Sequence, residues 1–412
     1  MTQAEIVKAC FLIVPLMVLA FAVLPWRWLW RVPAGIALAV IAAFGLLAMV
    51  PGAIDFLVSF SIMASIYAIL SLGLNSQWGY NGHLDFGVAG FFAIGAFISA
   101  LFIMAPPSGL LAQYVHQAFG LRAPFVVGLI VAGIASGVVG YLVALPVLRL
   151  RVDFLAIATL GIAEIIRLIF QNERWLANGP QPLSGIPQPL SCVFESPRCA
   201  WLPEPVASFL SVLQPRDYGY LYLVVVVVVL AIVYLVLETS VRSPWGRALR
   251  AVRDDELSAA MTGKNVGSLR VQSFVLGAVV IGVAGSLYAS YMVTIDYSHF
   301  EPLFATFLVW VMLMLGGSGN NKGAVLGAFV IWGVWSGTGF VTDAMHASLS
   351  SIAPQIASRT AFLRWTFVGL LLAGIVLYRP EGILKEEKFV SDFVKRFGRA
   401  SRKGAAGVPD NQ

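Results

Sequence analysis

Apolar residues along this chain gather in long runs that carry few charges, and polar residues gather between the runs. About 20 such residues are needed for a helix to cross a bilayer core. The pattern predicts crossings at Cys10–Leu24, Pro33–Val50, Phe56–Leu74, Phe86–Met104, Pro124–Leu145, Phe154–Phe170, Tyr220–Leu237, Val271–Tyr291, Leu303–Leu315, Ala324–Val341 and Ala361–Tyr378. The Leu303–Leu315 run is short for a crossing and reads as a re-entrant or broken helix. Counting it gives eleven crossings and omitting it gives ten. The expected fold is all-α: a polytopic helical membrane protein of about 10–11 transmembrane helices, some broken or re-entrant.

Composition supports this reading. The chain has 412 residues, of which 59% are hydrophobic and 12% charged. A soluble domain carries about 25% charged residues. The expected layout is a pair of N-terminal helices over 1–52, a transmembrane domain over 53–380 and a basic tail over 381–412, with the tail past Ala406 disordered. The net charge of +6 does not indicate nucleic acid, because the basic residues lie in a few loops and the tail, where they set orientation. The tail's basic part is either such a topology signal or an anchor for anionic lipid.

The first apolar run ends near Ala20-Phe21-Ala22, which resembles a leader cleavage site. Leaders begin with positive charge. Here Glu5 offsets Lys8, and Arg27 and Arg31 follow the run, so it reads as a retained helix with the N-terminus outside. The same rule places Arg149, Arg151, the loop 242–270, Lys322 and the C-terminal tail in the cytoplasm, and the loop 171–219 outside. Cys192 and Cys199 share that outer loop. They can pair in an oxidising compartment, and two free thiols fit the sequence equally well. Cys10 lies in an apolar run, and no Cys/His group has metal-ligand spacing.

The most polar stretch between apolar runs is Ser243–Asn265. Pro244 suits the first turn of a helix. Trp245, Leu249 and Val252 form an apolar stripe, and Arg247, Arg250 and Arg253 a basic edge. Asp254 and Asp255 suit the start of a second short helix, and Gly263 its left-handed end. Two short helices lying along the membrane surface are expected. They either rest on lipid as an interfacial element or meet a protein partner. The run Asp254-Asp255-Glu256 favours the partner, since anionic headgroups repel carboxylates.

Other polar residues fall within apolar surroundings. Glu164 lies eleven residues past Asp153, about 16 Å along a helix and so near the bilayer midplane. With Arg167 it forms either a polar gate or a mutually neutralising pair. Thr159 is on the same run. The glycine-rich stretches Gly79–Gly87 and Leu315–Gly327 each join an apolar helix, a Gly-x-x-Gly turn and a Gly-Ala-Phe helix, like a distant internal repeat. They are either cytoplasmic turns or breaks that expose backbone to substrate. Asn75, Tyr80, Asn81 and Asp85 are the path candidates there, and His83 reads as a loop histidine. No Gly-x-x-x-x-Gly-Lys-Ser/Thr loop is present, so any ATP would be used by another chain.

Four ordered motifs then converge on one family. They are Leu72-Gly73-Leu74-Asn75 with Gly79–Gly87 and Phe91–Phe97; Phe154–Leu160 with Glu164, Arg167, Gly179-Pro180 and Gly185-Ile186-Pro187; Gly246–Glu256 with Ala259-Ala260-Met261-Thr262-Gly263; and Leu315–Gly319 with Gly323 and Gly327-Ala328. Over roughly Phe56 to Lys385 the chain resembles the LivM-type permease subunits of ABC importers for branched-chain amino acids. Asp85 and Val88 depart from the polar or small residues common there.

The resemblance implies a multi-pass subunit of a bacterial inner membrane with no enzymatic activity, no bound cofactor and no metal. It implies a second permease subunit of the LivH type, two cytoplasmic ATPase subunits that use the ATP, and a periplasmic binding protein. It also implies that Arg247, Arg250, Arg253, Asp254, Asp255, Glu256, Ala260 and Gly263 belong to the loop that couples to the ATPase. The implied substrates are branched-chain or other hydrophobic amino acids; urea, amides and small organic acids remain open. A stand-alone secondary transporter or channel is the alternative of another class. It would need more intramembrane ionisable groups than Glu164 and Arg167.

Overall fold

Backbone polar groups cannot be left open in hydrocarbon, so each apolar run closes its own hydrogen bonds as a helix. The computed structural model describes residues 53–107, 116–191, 217–349, 362–378 and 381–386. The expected crossings Cys10–Leu24 and Pro33–Val50, all three cysteines and the tail past Glu386 lie outside the described residues.

The helices in chain order are α1 (Ala53–Leu74), α2 (Val88–Ile103), α3 (Phe125–Val147), α4 (Val152–Asn172), α5 (Arg174–Ala177), α6 (Tyr218–Arg242), α7 (Pro244–Asp254), α8 (Glu256–Met261), α9 (Val266–Met292), α10 (Pro302–Gly316), α11 (Asn321–Leu349) and α12 (Phe362–Tyr378). Among the described residues, six helical runs are long and apolar enough to cross a membrane, and the Val88–Ile103 and Phe362–Ile375 runs are apolar but shorter. The chain is an all-α, multi-pass membrane protein. Its sheet among the described residues is two short antiparallel strands, β1 (Leu183–Ser184) and β2 (Thr294–Ile295), with Leu183 opposite Ile295.

Two crossings differ in detail from the apolar pattern. The Leu303–Leu315 run is not broken: α10 is continuous, and the 3-10 turn Tyr297–Phe300 before it extends the apolar run to 20 residues. A break lies before α2, within the Gly79–Gly87 stretch. Phe86 and Gly87, expected inside that crossing, are outside the helix, which starts at Val88.

Burial sorts the helices. In the α1 run 83% of the spanning window is buried against 33% in α3, so α1 is central and α3 peripheral. Ile130, Ile134 and Val138 of α3 point outward, as a lipid-facing stripe would. Where α2 crosses α9, a Cβ on Gly95 would strike the Gly282 backbone, and the Ser99 and Ser286 hydroxyls bond at 2.6 Å. Small residues at such a crossing let the helices gain contact that apolar lipid does not drive by exclusion.

Successive long helices alternate direction, which sorts the connections into two ends. At one end β1 meets β2, Gln117 bridges Ala177, and the Tyr218 hydroxyl donates to the Pro189 carbonyl at 2.8 Å. At the other end lie the Asn75–Gly79 turn, the α7–α8 pair, the α10–α11 turn and the segment 381–386.

Candidate functional site

The polar stretch after α6 folds as two short helices with the stops written in its sequence. The Ser243 hydroxyl accepts from the Trp245 amide at 3.2 Å, and Pro244 occupies the first turn of α7. Asp255 separates the helices. Its carboxylate accepts from the Leu257 and Ser258 amides at 3.0 and 3.2 Å, capping α8. The Ser258 hydroxyl, and then the Ser258 and Leu257 amides, hold this carboxyl below the usual carboxylate range. Gly263, at φ +77°, ends the turn in the left-handed region that glycine tolerates.

Leu249 and Val252 are buried, and Leu249 packs with Tyr80, Val241 and Trp245. The Trp245 indole donates to Gln272 at 2.8 Å. The basic edge divides. Arg247 is exposed, whereas the Arg250 and Arg253 side chains are only 14% and 24% exposed and turn toward the bundle. Arg250 lies over the Tyr80 ring, 5.6 Å from its centroid. Asp254, Glu256, Ala260 and Gly263 are exposed, and Glu256 pairs with Arg270 at 2.5 Å. Beside them Leu257 and Met261 project outward, 75% and 87% exposed, one helical turn apart.

Against this pair lies the end of α1, where the helix widens into a π turn, Asn75–Gly79. Such turns concentrate at functional sites. The turn is held from three sides. Gln77 donates to the Phe274 carbonyl at 3.0 Å, and the Ser273 hydroxyl donates to the Ser76 carbonyl at 2.6 Å. Asn75 donates to Asn321 at 3.0 Å and accepts from the Gly319 amide at 2.9 Å. The two glycine-rich stretches thus meet at one point. A Cβ on Gly79 would collide with both the Asn75 side chain and the Gly319 amide.

After Tyr80 the chain runs as an irregular, non-helical segment to Gly87 and climbs back into the bundle. Backbone there needs partners, and side chains provide them. The Phe86 amide donates to Thr159 at 3.0 Å, the Trp310 indole to the Asp85 carbonyl at 3.0 Å, and the Ala89 amide to Thr306 at 3.0 Å. Phe86 stacks on Trp310 at 4.9 Å between centroids. Asp85 is fully buried and accepts from the Gly87 amide at 2.7 Å. The Asn81 and His83 side chains are buried without a hydrogen-bond partner among the described residues. They line a pocket of about 40 Å³ with Arg270, which has room for water.

Glu164 and Arg167 stand apart from this cluster. Arg167 donates twice to Glu164, at 2.9 and 2.5 Å, and its guanidinium lies 5.7 Å from the Tyr297 ring centroid. Tyr80 therefore lies beside α7 with Asn75 next to it, Asp85 and Thr159 meet deeper along the same segment, and the Glu164–Arg167 pair is apart from both. Cys192 and Cys199 lie outside the described residues.

Four contributors escaped the sequence reading. Gln77 looks like an ordinary loop residue. Thr306 and Trp310 are one turn apart on an apolar helix, and the two polar groups at that spacing were the available signal. Glu386 lies past the last crossing and reads as part of a charged tail.

Residues 56–377 match the family model described as branched-chain amino acid transport system, permease component. The chain is 32% identical over 279 residues to the high-affinity branched-chain amino acid transport system permease protein LivM of Salmonella typhimurium, covering 66% of this chain and 61% of that protein. The chain thus spans about three fifths of that relative's length. It is 26% identical over 371 residues to the probable branched-chain amino acid transport permease protein LivM of Methanocaldococcus jannaschii, covering 83% of this chain and 97% of that one. It is also 26% identical over 220 residues to the autoinducer 2 import system permease protein LsrC of Yersinia pestis, covering 52% and 54%. No solved structure matches. The family match covers most of the chain, including the π turn, the non-helical segment before α2 and the α7–α8 pair, and the chain belongs to the permease components of branched-chain amino acid transport systems.

Proposed function

We propose that this chain is a transmembrane subunit of an ATP-driven importer for branched-chain or other hydrophobic amino acids. Separate ATPase subunits move α7 and α8, and the helical bundle answers by opening alternately to each side. The observation that carries this reading is the contact between the α7–α8 pair and the broken entry to α2. Arg253 of α7 donates to the carbonyl oxygen of Gly79, where the π turn gives way to the non-helical segment before α2. A displaced α7 therefore acts directly on backbone that is threaded into the core.

Leu257 and Met261 give the outer face of α8 an apolar ridge bordered by Asp254 and Glu256. An ATPase cleft with apolar walls and basic rims suits that ridge. The remaining partners in this reading are a second permease subunit of the LivH type and a periplasmic binding protein, which carries most of the substrate choice. Arg149, Arg151, Arg247 and Lys322 share one end of the bundle, and the positive-inside rule assigns that end to the cytoplasm. The N-terminus then lies outside and the C-terminus inside a bacterial inner membrane. The chain binds no cofactor and has no nucleotide site of its own.

The test is purification of the tagged chain from its native membranes in mild detergent. The reading expects ATPase subunits to co-purify and ATP to be hydrolysed. A chain that retains no ATPase and transports without ATP is a secondary transporter or channel. Competition by leucine, isoleucine and valine, set against urea and small amides, assigns the substrate class.

A further inference from the structure

The segment after α12 returns to the bundle and is strapped to the α10–α11 turn. The Ile383 and Leu384 amides donate to the Leu315 and Gly316 carbonyls at 2.8 and 3.0 Å, and Asn320 donates to the Lys385 carbonyl at 3.0 Å. This places Glu386 against Gly319 and beneath α7. Its two carboxylate oxygens accept from Arg253 at 3.0 and 2.9 Å, and Arg250 approaches to 3.8 Å. The same Arg253 guanidinium donates to the Gly79 carbonyl. One arginine therefore ties together the coupling helix, the π turn and the end of the transmembrane domain.

A second carboxylate competes for that arginine. Asp254 lies 3.4 Å from Arg253, but its side chain is 72% exposed, against 28% for Glu386. The exposed pair is screened by water and is the weaker one. Both Glu386 oxygens accept from the one Arg253 Nη2, which leaves Nη1 for the Gly79 carbonyl. Loss of Glu386 removes the less exposed of the two carboxylates that hold this guanidinium.

We propose that Glu386 is a positioning residue for energy coupling: it holds Arg253 against the Gly79 carbonyl, so that displacement of α7 reaches the non-helical segment before α2. The role rests on the importer reading above, while the contact itself does not. A helix that rests on the bundle only through Leu249, Val252 and Trp245 can slide over Tyr80 without moving the backbone behind it. The bond to Gly79 removes that slack.

The experiment compares wild-type chain with Glu386→Gln and Glu386→Asp, each purified with its co-purifying subunits into nanodiscs. Hydrogen exchange of the α7 amides reports the contact, and substrate moved per ATP hydrolysed reports the coupling. Glu386→Gln should speed α7 exchange by roughly threefold to tenfold. It should lower substrate moved per ATP by at least about threefold while hydrolysis continues. Glu386→Asp, which keeps the charge, should stay closer to wild type in both. Unchanged exchange in Glu386→Gln overturns the contact. Faster exchange with a wild-type transport ratio overturns the positioning role. A wild-type sample that holds no ATPase and transports without ATP overturns the importer reading and the coupling role, and its exchange data still decide the contact.

Discussion

The Trp310 indole donates to the carbonyl oxygen of Asp85 at 3.0 Å, and both residues are buried. This bond pins non-helical backbone to a helix distant in sequence. Trp310→Phe keeps the ring that stacks on Phe86 but removes the donor. An unsatisfied buried carbonyl costs about 1–3 kcal/mol. Trp310→Leu also removes the stack and should cost more, about 3–5 kcal/mol, as large aromatic truncations do. Thermal unfolding in detergent should rank wild type, Trp310→Phe and Trp310→Leu in that order. Equal melting of wild type and Trp310→Phe would show that the indole N–H contributes nothing.

Gly79 and Gly161 make a matched pair of alanine substitutions. At Gly79 a Cβ would meet the Asn75 side chain and the Gly319 amide, so the two glycine-rich turns must separate. At Gly161 in α4 a Cβ meets nothing within 4 Å. Gly79→Ala should destabilise by about 1–3 kcal/mol through overpacking. Gly161→Ala should be neutral or stabilise by up to about 1 kcal/mol through helix propensity. Expression level and melting temperature check both.

The Glu164–Arg167 pair distinguishes a static clamp from a substrate contact. Glu164 is 39% exposed, so screening limits the coupling between the two to roughly 1 kcal/mol. Either single variant, Glu164→Gln or Arg167→Gln, leaves one charge unpaired and should lower stability. The double variant should recover part of that loss. If uptake recovers with stability, the pair is a clamp. If the double variant is stable and does not transport, the pair contacts substrate.

The α7–α8 pair offers its outward face on α8. Reversing Asp254-Asp255-Glu256 to lysine would remove the proposed partner contact and also the Asp255 cap, so it mixes two effects. Asp255 accepts from α8 amides and its carboxyl is held low. Its contribution is therefore present above the ordinary carboxylate pKa and lost as pH falls through the lowered one. Replacing Leu257 and Met261 with glutamate leaves the cap in place. It should weaken ATPase co-purification by roughly tenfold or more, as loss of buried interface anchors does. Gly263→Arg should uncouple hydrolysis from uptake while the chain still inserts.

How much was readable in advance depended on the distance between partners. The crossings were readable because each closes its own hydrogen bonds and buries its own apolar run. The α7–α8 pair was readable because Pro244, Asp255 and Gly263 act on their neighbours. The break before α2 is one of the two readings of Gly79–Gly87, but what holds it was hidden, because its backbone is satisfied by Thr159, Thr306 and Trp310, from helices α4 and α10. The inward turn of Arg253 was hidden for the same reason, since its carboxylate partner lies 133 residues away. The basic edge had read as one surface, and a single distant acid divides it.

The most direct test of the account is uptake by the purified assembly in sealed proteoliposomes, with ATP on the side that bears α7 and α8. The account predicts accumulation of branched-chain amino acids that requires ATP hydrolysis and collapses when Leu257 and Met261 become glutamate. Accumulation that proceeds without ATP, or that survives those substitutions unchanged, would contradict it.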